Sequence, residues 1–369
     1  MDVAVVGAGI SGLLTGYTLS RNRRIYRIDI FEKRKDVSPR IHCTGLVSRS
    51  TLRRIPFADK FIVNSYSAIN VMMLEGIDFN MYLEKDAIYK IDRVAHEFYL
   101  IDRVRDRGIE VRFNTNVTNV EKVNEKVRVT SIGKSIENDL YDVIVIAEGF
   151  PSRLAGLVGL KSYKECLKGF QVEVFFSRKS NNLAIDNLYV ATSFKRFLSE
   201  FGWFVPISDR KAVVGVALHS GEVLNSIHMY MKFFEKKLGI EITNMGNSYG
   251  GAVLRGYPID IVKKGILGIG DAIGAVKSVS GGGLYAISIL SKIYGENIHR
   301  NDFIKENVKM LINELKKQYR VYNILHKTFS KINMNWAKIF RKVSIDIGSE
   351  YYYDHHERIL IKAVLSLLK

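Results

Sequence analysis

Residues 2–32, DVAVVGAGISGLLTGYTLSRNRRIYRIDIFE, predict the fold of the N-terminal part of the chain. An apolar run at 2–6 predicts a buried parallel strand, and apolar residues at helical spacing over 10–19 predict a helix. The segment 25–31 predicts a second strand. A Gly-x-Gly-x-x-Gly turn joins the first strand to the helix, so the segment has the βαβ arrangement of a dinucleotide-binding unit.

Each glycine of this turn has its own geometrical role. Gly7 permits the tight turn after the strand, Gly9 lets the backbone approach a pyrophosphate, and Gly12 lets the helix pack closely on the sheet. The helix N-terminus supplies free N–H groups and a partial positive charge for the anion. Glu32, at the end of the second strand, is expected to accept hydrogen bonds from the adenosine ribose hydroxyls and to disfavour a 2′-phosphate. These features predict a dinucleotide other than NADP.

A second glycine cluster lies at Gly270-Asp271-Ala272-Ile273-Gly274 and Ser280-Gly281-Gly282-Gly283. It resembles the second flavin motif of the glutathione-reductase-like FAD superfamily, in which the Asp contacts the ribityl chain and the glycine-opened helix points at the flavin. A helix dipole and free N–H groups stabilise an anionic reduced flavin. The two clusters together predict FAD rather than NAD, although an aspartate such as Asp271 also serves as a helix N-cap in many proteins.

Other segments resemble one family more closely, the geranylgeranyl reductases. Cys43-Thr44-Gly45-Leu46-Val47-Ser48 is similar to the family's CTGLVS-type segment, and Arg93 with Glu97 is similar to its Arg-containing helix. Phe201-Gly202-Trp203-Phe204-Val205-Pro206 resembles the substrate-pocket motif Y-x-W-x-F-P, with Phe201 and Val205 departing from it. The resemblance implies that FAD is bound by Gly7, Gly9, Ser11, Gly12, Glu32, Cys43, Thr44, Arg93, Val117, Gly270, Asp271, Gly282 and Gly283.

Several of these residues have more than one interpretation. Cys43 is either a small buried apolar residue or a catalytic thiol beside the flavin that donates a proton or steers the substrate. Phe201 and Trp203 either pack in the core or form the wall of a tunnel for an apolar chain. Arg93 either belongs to the cofactor site or forms a surface salt bridge.

The fold class predicted from these patterns is α/β with a Rossmann-like FAD-binding domain, an inserted, mainly antiparallel β-sheet domain for the substrate, and a helical C-terminal region. The FAD-binding domain is expected to be discontinuous. We assign residues 1–70, 93–160 and 250–298 to the FAD-binding domain, 71–92 and 161–249 to the substrate domain, and 299–369 to the helical region.

Composition limits the partners of the protein. The net charge of +17 suits an anionic partner or a lysine-rich surface that favours solubility, and no nucleic-acid-binding motif is present. The two cysteines form no metal-binding pattern, so no metal site is expected. We find no signal peptide and no apolar stretch of about 20 residues. We therefore expect a cytoplasmic protein, peripheral to a membrane if it contacts one.

The resemblance implies an FAD-dependent oxidoreductase that reduces isolated double bonds of a geranylgeranyl chain in lipid biosynthesis. The substrate is expected to be an isoprenoid diphosphate or a prenylated lipid. Because a second Gly-x-Gly-x-x-Gly motif is absent from the sequence, the electron donor is either ferredoxin or a transiently bound NAD(P)H. A flavin-dependent aromatic hydroxylase and a non-catalytic FAD-binding protein remain the alternatives.

Overall fold

The computed structural model describes residues 1–36, 43–133, 137–331 and 342–367. The strands are β1 Asp2–Val6, β2 Arg27–Phe31, β3 Leu46–Ser48, β4 Ile62–Tyr66, β5 Ala68–Met73, β6 Asp78–Leu83, β7 Ile88–Ile91, β8 Glu110–Arg112, β9 Asn116–Val123, β10 Lys126–Ile132, β11 Glu137–Tyr141, β12 Val143–Ile146, β13 Lys161–Arg178, β14 Asn187–Thr192, β15 Phe201–Pro206, β16 Lys211–Leu218, β17 Ile240–Asp260, β18 Val262–Lys263, β19 Ile266–Gly268 and β20 Lys342–Gly348. The α-helices are α1 Ile10–Leu19, α2 Arg49–Arg54, α3 Arg93–Arg105, α4 Arg153–Leu157, α5 Val223–Leu238, α6 Leu284–Asn297, α7 Asn301–Phe329, α8 Tyr351–Asp354 and α9 His356–Leu367.

A six-stranded sheet organises the nucleotide-binding part of the molecule. Its strand order is β18-β19-β12-β1-β2-β8, with β1 paired in parallel to β12 and β2. Val3, Val5 and Ile30 are fully buried because helices cover the sheet. Helices α1 and α6 cross so closely that the Thr18 hydroxyl donates a hydrogen bond to the Ser291 carbonyl at 2.9 Å.

An eight-stranded sheet forms the second large layer, in the order β17-β13-β16-β15-β14-β5-β6-β20. Most neighbours are antiparallel, but β14 pairs with β5 and β20 with β6 in parallel. Successive residues alternate between the two faces of a strand. In β15, Phe204 therefore packs against Phe176 and Phe234 on one face, whereas Phe201 and Trp203 project from the other.

The C-terminal region is not wholly helical, which corrects one expectation. Helices α7 and α9 are present, but β20 adds an edge strand to the eight-stranded sheet, with Lys342 opposite Asp78 and Ile345 opposite Met81. A short strand whose partner lies more than 250 residues earlier gives no local turn or hairpin pattern. The sequence of this region consequently indicated helix alone.

The strand pairing also corrects the expected domain limits. Strand β5 joins the eight-stranded sheet from Ala68 onward, whereas β7 pairs with β3 and β4 in a separate three-stranded sheet. The expected limit between residues 249 and 250 falls inside the continuous strand β17. Sequence alternation indicates where strands lie but not which strands pair, so these limits did not follow the sheets.

Candidate functional site

A cleft with a volume of about 770 Å³ is lined by residues of both large sheets and of the C-terminal helices. At its polar end are Gly7, Glu32 and Ala147, each directly following one of the parallel strands β1, β2 and β12. The carboxyl ends of parallel strands are the usual position of a ligand in an α/β sheet. The cleft continues into an apolar cavity beside the eight-stranded sheet.

The first glycine turn has the close contacts that the sequence predicted. Gly7 has a φ of +110°, and a Cβ atom there would lie 2.4 Å from the Ala147 carbonyl oxygen. A Cβ atom at Gly12 would lie 1.8 Å from the Gly7 carbonyl oxygen. A Cβ atom at Gly9, in contrast, would have no protein atom within 4 Å. The backbone at Gly9 therefore faces open space in the cleft, next to the first turn of α1 and the cleft-lining Ser11.

Glu32 is held in place by hydrogen bonds from two sides. Its carboxylate accepts one from the Ala8 backbone N–H at 2.8 Å. Arg34 donates from its backbone N–H and from Nε, each at 2.9 Å, and from Nη2 at 3.2 Å. Burial alone would raise the pKa of Glu32, but the hydrogen bonds from Arg34 and Ala8 outweigh it and keep the pKa below its usual value. The carboxylate is therefore charged and fixes the approach of the glycine turn to β2.

We expect Glu32→Gln to weaken FAD binding by about 1–3 kcal/mol, the contribution of hydrogen bonds to a charged group. The amide retains the size of the side chain but loses the charge and one acceptor oxygen. Titration of the apo-protein with FAD, followed by flavin fluorescence, measures the change. Glu110→Gln, on the neighbouring strand β8, is a suitable control because its carboxylate is largely exposed. An unchanged dissociation constant for Glu32→Gln would remove this residue from the site.

The middle of the cleft brings together side chains from distant parts of the sequence. Cys43, Thr44, Arg93 and Asp271 all line it. The Cys43 sulfur accepts a hydrogen bond from the Gly45 N–H at 3.3 Å. The Thr44 hydroxyl donates to the Gln171 side chain of β13 at 3.1 Å, and its carbonyl accepts from the Lys90 ammonium at 2.7 Å. Thr44 thereby connects β7 of the three-stranded sheet with β13 of the eight-stranded sheet.

Arg93 and Asp271 form the charged part of this region. Arg93 is paired with Glu97, one helical turn along α3, and its buried Nε has no hydrogen-bond partner among the described residues. Burial raises the pKa of Asp271, and the nearby Arg93 and Lys164 oppose this effect. Arg93 is thus a buried cleft residue and not part of a surface salt bridge.

The second glycine cluster closes the cleft opposite the first. Gly281 has a φ of +70°, and a Cβ atom at Gly283 would lie 3.4 Å from the Asp271 carboxylate. Helix α6 begins directly after Gly283, at Leu284. Gly281, Gly282 and Gly283 all line the cleft, so the backbone of the second cluster faces the same space as that of the first.

The apolar end of the cleft is lined by side chains from β5, β6, β14, β15, α7, α9 and the segment between β14 and β15. These residues are Ile69, Val71, Phe79, Met81, Leu188, Val190, Phe194, Phe197, Leu198, Phe201, Trp203, Val205, Leu325, Phe329, Ile359, Leu360 and Ala363. Trp203 lies against Gly215, where a Cβ atom would be 2.2 Å from the indole ring. Phe201 and Trp203 therefore line the cavity wall and also pack against the sheet.

Three of the predicted cofactor residues lie behind the cleft surface. Gly12 packs on Gly7, Gly270 has a φ of +68° and packs on Ser11, and Val117 is buried in β9. The remaining members of the predicted set line the cleft. The contact of Val117 with an adenine ring stays a prediction.

The cleft residues that sequence reasoning missed include Arg34, Lys277, Tyr353 and His356. Lys277 lies between the two parts of the second glycine cluster, and the cluster gave no reason to select it. Tyr353 and His356 belong to the run Tyr351–Glu357, whose density of titratable groups near the C-terminus was the available signal.

The residues of the polar end fit a flavin dinucleotide. The open backbone at Gly9 and the first turn of α1 suit a pyrophosphate, and the Glu32 carboxylate suits ribose hydroxyls. At the opposite end of the polar region, the Arg93 Nε has no hydrogen-bond partner among the described residues, and the N-terminus of α6 supplies free N–H groups after Gly283. No group of His, Cys, Asp and Glu side chains suited to a metal ion occurs among the described residues.

Comparison with known proteins agrees with this geometry. The family model described as an NAD(P)-binding Rossmann-like domain matches residues 5–52. A digeranylgeranylglycerophospholipid reductase of Methanocaldococcus jannaschii is 23% identical over 343 residues, which cover 90% of this chain and 86% of that protein.

Solved structures show the same fold. A geranylgeranyl bacteriochlorophyll reductase-like protein of Thermoplasma acidophilum has a TM-score of 0.78 at 16% identity, over 99% of this chain and 97% of the other. The p-nitrophenol 4-monooxygenase of Pseudomonas putida has a TM-score of 0.68 at 14% identity, over 99% and 96%.

These findings confirm the predicted Rossmann-like fold class and the predicted resemblance to the reductases. The chain shares its fold with these proteins and is similar along about nine-tenths of its length to the reductases that its motifs resemble.

Proposed function

We propose that the protein binds FAD and uses the reduced flavin to saturate isolated double bonds in a geranylgeranyl chain of a membrane lipid or its precursor. One observation carries the proposal: a single cleft joins the dinucleotide-binding end at Gly7 and Glu32 to a cavity walled by apolar side chains. An unpolarised alkene needs close positioning and the exclusion of water, and an apolar cavity that opens onto the cofactor region supplies both. The reductases among the relatives support the same substrate class.

Residues at different positions along the cleft have different roles. The two glycine turns and Glu32 hold the cofactor, which when reduced supplies a hydride. Phe201, Trp203 and Phe197 form apolar walls that orient an extended chain. Cys43 lies where the polar and apolar parts of the cleft meet and lines both the main cleft and a smaller neighbouring pocket. We assign Cys43 the role of steering the reacting part of the chain.

The test of the proposed function is an anaerobic incubation. Protein reduced with dithionite is mixed with geranylgeranyl diphosphate or with a geranylgeranylated glycerolipid, and mass analysis detects gains of two hydrogens. We expect saturation of at least one of the two substrates. Hydroxylation of aromatic compounds in air without any alkene reduction would favour the hydroxylase, and the absence of both reactions would favour a non-catalytic FAD-binding protein.

Replacement of the thiol tests the assignment of Cys43. We expect Cys43→Ala to slow alkene reduction by about ten-fold or more, because a misplaced substrate loses part of the benefit of positioning. The dissociation constant for FAD should stay within two-fold of the wild-type value, because the substitution removes only the sulfur atom from a partly buried side chain. Cys166→Ala is the matched control, since Cys166 is exposed on β13. Equal reduction rates in the Cys43 variant and the wild type would contradict the assignment.

A lipid substrate makes contact with a membrane surface part of the proposal. None of the helices in the described part of the chain is both long and apolar enough to cross a bilayer. Residues 300–369 contain fourteen Lys and Arg against seven Asp and Glu. Helix α7 exposes a stripe at heptad spacing, formed by Phe303, Met310, Lys317 and Ile324. Apolar and basic groups on one helix face favour binding at an anionic lipid surface.

We expect the protein to sediment with anionic vesicles more strongly than with neutral vesicles, and this difference to fall in high salt because surface charges are screened. Lys317→Glu combined with Arg320→Glu should reduce the bound fraction. The same charge change at Lys232 and Lys236, exposed residues of α5, is the control. Equal binding to both types of vesicle would contradict membrane contact driven by charge.

A further inference from the structure

We propose that Lys277 is the catalytic acid of the reduction, the residue that gives the proton to the second alkene carbon. This inference rests on the proposed function and deepens it. Lys277 is a buried lysine that lines the cleft at the boundary between its polar and apolar parts.

The backbone of Lys277 is fixed to the second glycine turn. Its N–H donates to the Gly282 carbonyl at 3.0 Å, and its carbonyl accepts from the Gly281 N–H at 2.8 Å. A Cβ atom at Gly282 would lie 3.1 Å from Lys277 Cε and 3.9 Å from Nζ. The side chain therefore runs along the glycine turn that faces the cofactor part of the cleft.

The ammonium group keeps a proton available to a ligand. Nζ donates one hydrogen bond to the Tyr353 carbonyl at 3.1 Å and one to the Asp354 carboxylate at 3.3 Å, and it lies 4.0 Å from the centre of the Tyr353 ring. An ammonium has three N–H donors. Among the described residues, two of them are used and the third has no hydrogen-bond partner.

Burial also favours Lys277 over its neighbours as the acid. It lowers the pKa of Lys277 from its usual value, so the ammonium releases its proton more readily, and Asp354 opposes part of this shift. Burial raises the pKa of Tyr353, which makes its phenol a poorer acid. Burial lowers the pKa of His356 well below its usual value, so this imidazole is neutral near pH 7.

The charged and titratable groups that surround Lys277 come from every element packed against it. They are Tyr353, Asp354, His355 and His356 from the C-terminal segment, Glu314 from α7 and Cys43 from the segment before β3. Within this set, Asp354 is the counter-ion that keeps the ammonium charged before reaction.

The proposed step balances in atoms and electrons. The reduced cofactor, which the two glycine clusters and Glu32 would hold, would supply the hydride for one alkene carbon and would be oxidised by its loss. Lys277 Nζ gives its proton to the adjacent carbon, so two C–H bonds replace the π bond and the lysine becomes neutral. Solvent returns a proton to Nζ after the saturated chain has left. Cys43 then shapes the position of the alkene and is not the proton source.

The decisive variant is Lys277→Arg. A guanidinium retains the positive charge and the pair with Asp354, but it does not release a proton in proteins. We expect FAD affinity and thermal stability close to those of the wild type, and a rate of alkene reduction about 100-fold or more lower, the usual contribution of a general acid. Alkene reduction by Lys277→Arg within three-fold of the wild-type rate would overturn the assignment.

A second measurement uses the wild-type protein and does not depend on the folding of the variant. Dithionite-reduced protein is mixed rapidly with a geranylgeranylated lipid at increasing pH, and flavin reoxidation is followed without oxygen. We expect the rate to fall as pH rises through the lysine pKa, which lies below 10.5. A rate that stays constant up to pH 10.5 would overturn the assignment. If the wild type saturates no alkene, the proposed function and this inference fail together. If the wild type is active and either test contradicts the role of Lys277, only this inference fails and the proposed function stands.

Discussion

Gly12→Ala is expected to abolish measurable FAD binding, with a dissociation constant at least about 100-fold higher, or about 3 kcal/mol. A Cβ atom at this position would lie 1.8 Å from the Gly7 carbonyl oxygen and 3.3 Å from the Val5 side chain. The Gly7 oxygen belongs to the backbone and Val5 belongs to the buried strand β1, so no flexible side chain can move aside. Helix α1 would have to shift away from β1, and the glycine turn would lose its shape.

Flavin titration and thermal unfolding of the apo-protein measure the two consequences. Gly156→Ala is the matched control, because a Cβ atom there meets no atom within 4 Å. Gly9→Ala separates ligand contact from folding: the protein has room for the methyl group, so any loss of affinity arises from the ligand itself. Wild-type affinity in Gly12→Ala would show that the close packing of α1 on the turn is not needed for the site.

The second large effect is expected for Asp354→Ala, which should lower the free energy of unfolding by about 3–5 kcal/mol, the usual result of removing one partner of a buried ion pair. The Asp354 carboxylate accepts hydrogen bonds from Ser48 at 2.5 Å, from Thr51 at 3.0 Å and from Lys277 at 3.3 Å. The side chains of Asp354 and Lys277 are each only 4% exposed. The alanine variant leaves the ammonium buried without this counter-ion, and the hydroxyl groups of Ser48, Ser50 and Thr51 lose an acceptor.

Denaturant unfolding measures this loss, and two comparisons define its cause. Asp106→Ala removes the exposed pair with Arg103 and should change the free energy of unfolding by less than about 1 kcal/mol. The double variant Lys277→Met with Asp354→Leu should be more stable than Asp354→Ala, because no uncompensated charge remains buried. If Asp354→Ala unfolds with the wild-type free energy, the pair does not anchor the C-terminal segment.

The nucleotide-binding end of the cleft could be predicted from the sequence. Gly7, Gly9 and Gly12 are set by the local geometry of a strand–turn–helix, and Glu32 follows the next strand at a fixed distance. Such features depend on residues close together in the chain, so motif spacing is enough to predict them. Asp271 and the following glycines were predicted for the same reason, and the cleft does bring both clusters together.

The shape and the chemistry of the apolar end depend on long-range packing and could not be predicted from the sequence. The apolar cavity combines β5, β6 and β15 with α7 and α9, and β20 pairs with a strand that precedes it by more than 250 residues. Lys277 and Asp354 are 77 residues apart and meet only because α8 packs beside the second glycine turn. Each of these contacts joins segments whose apolar patterns are compatible with several different packing partners. Long-range packing selects among those partners, and periodicity along the chain carries no information about that selection.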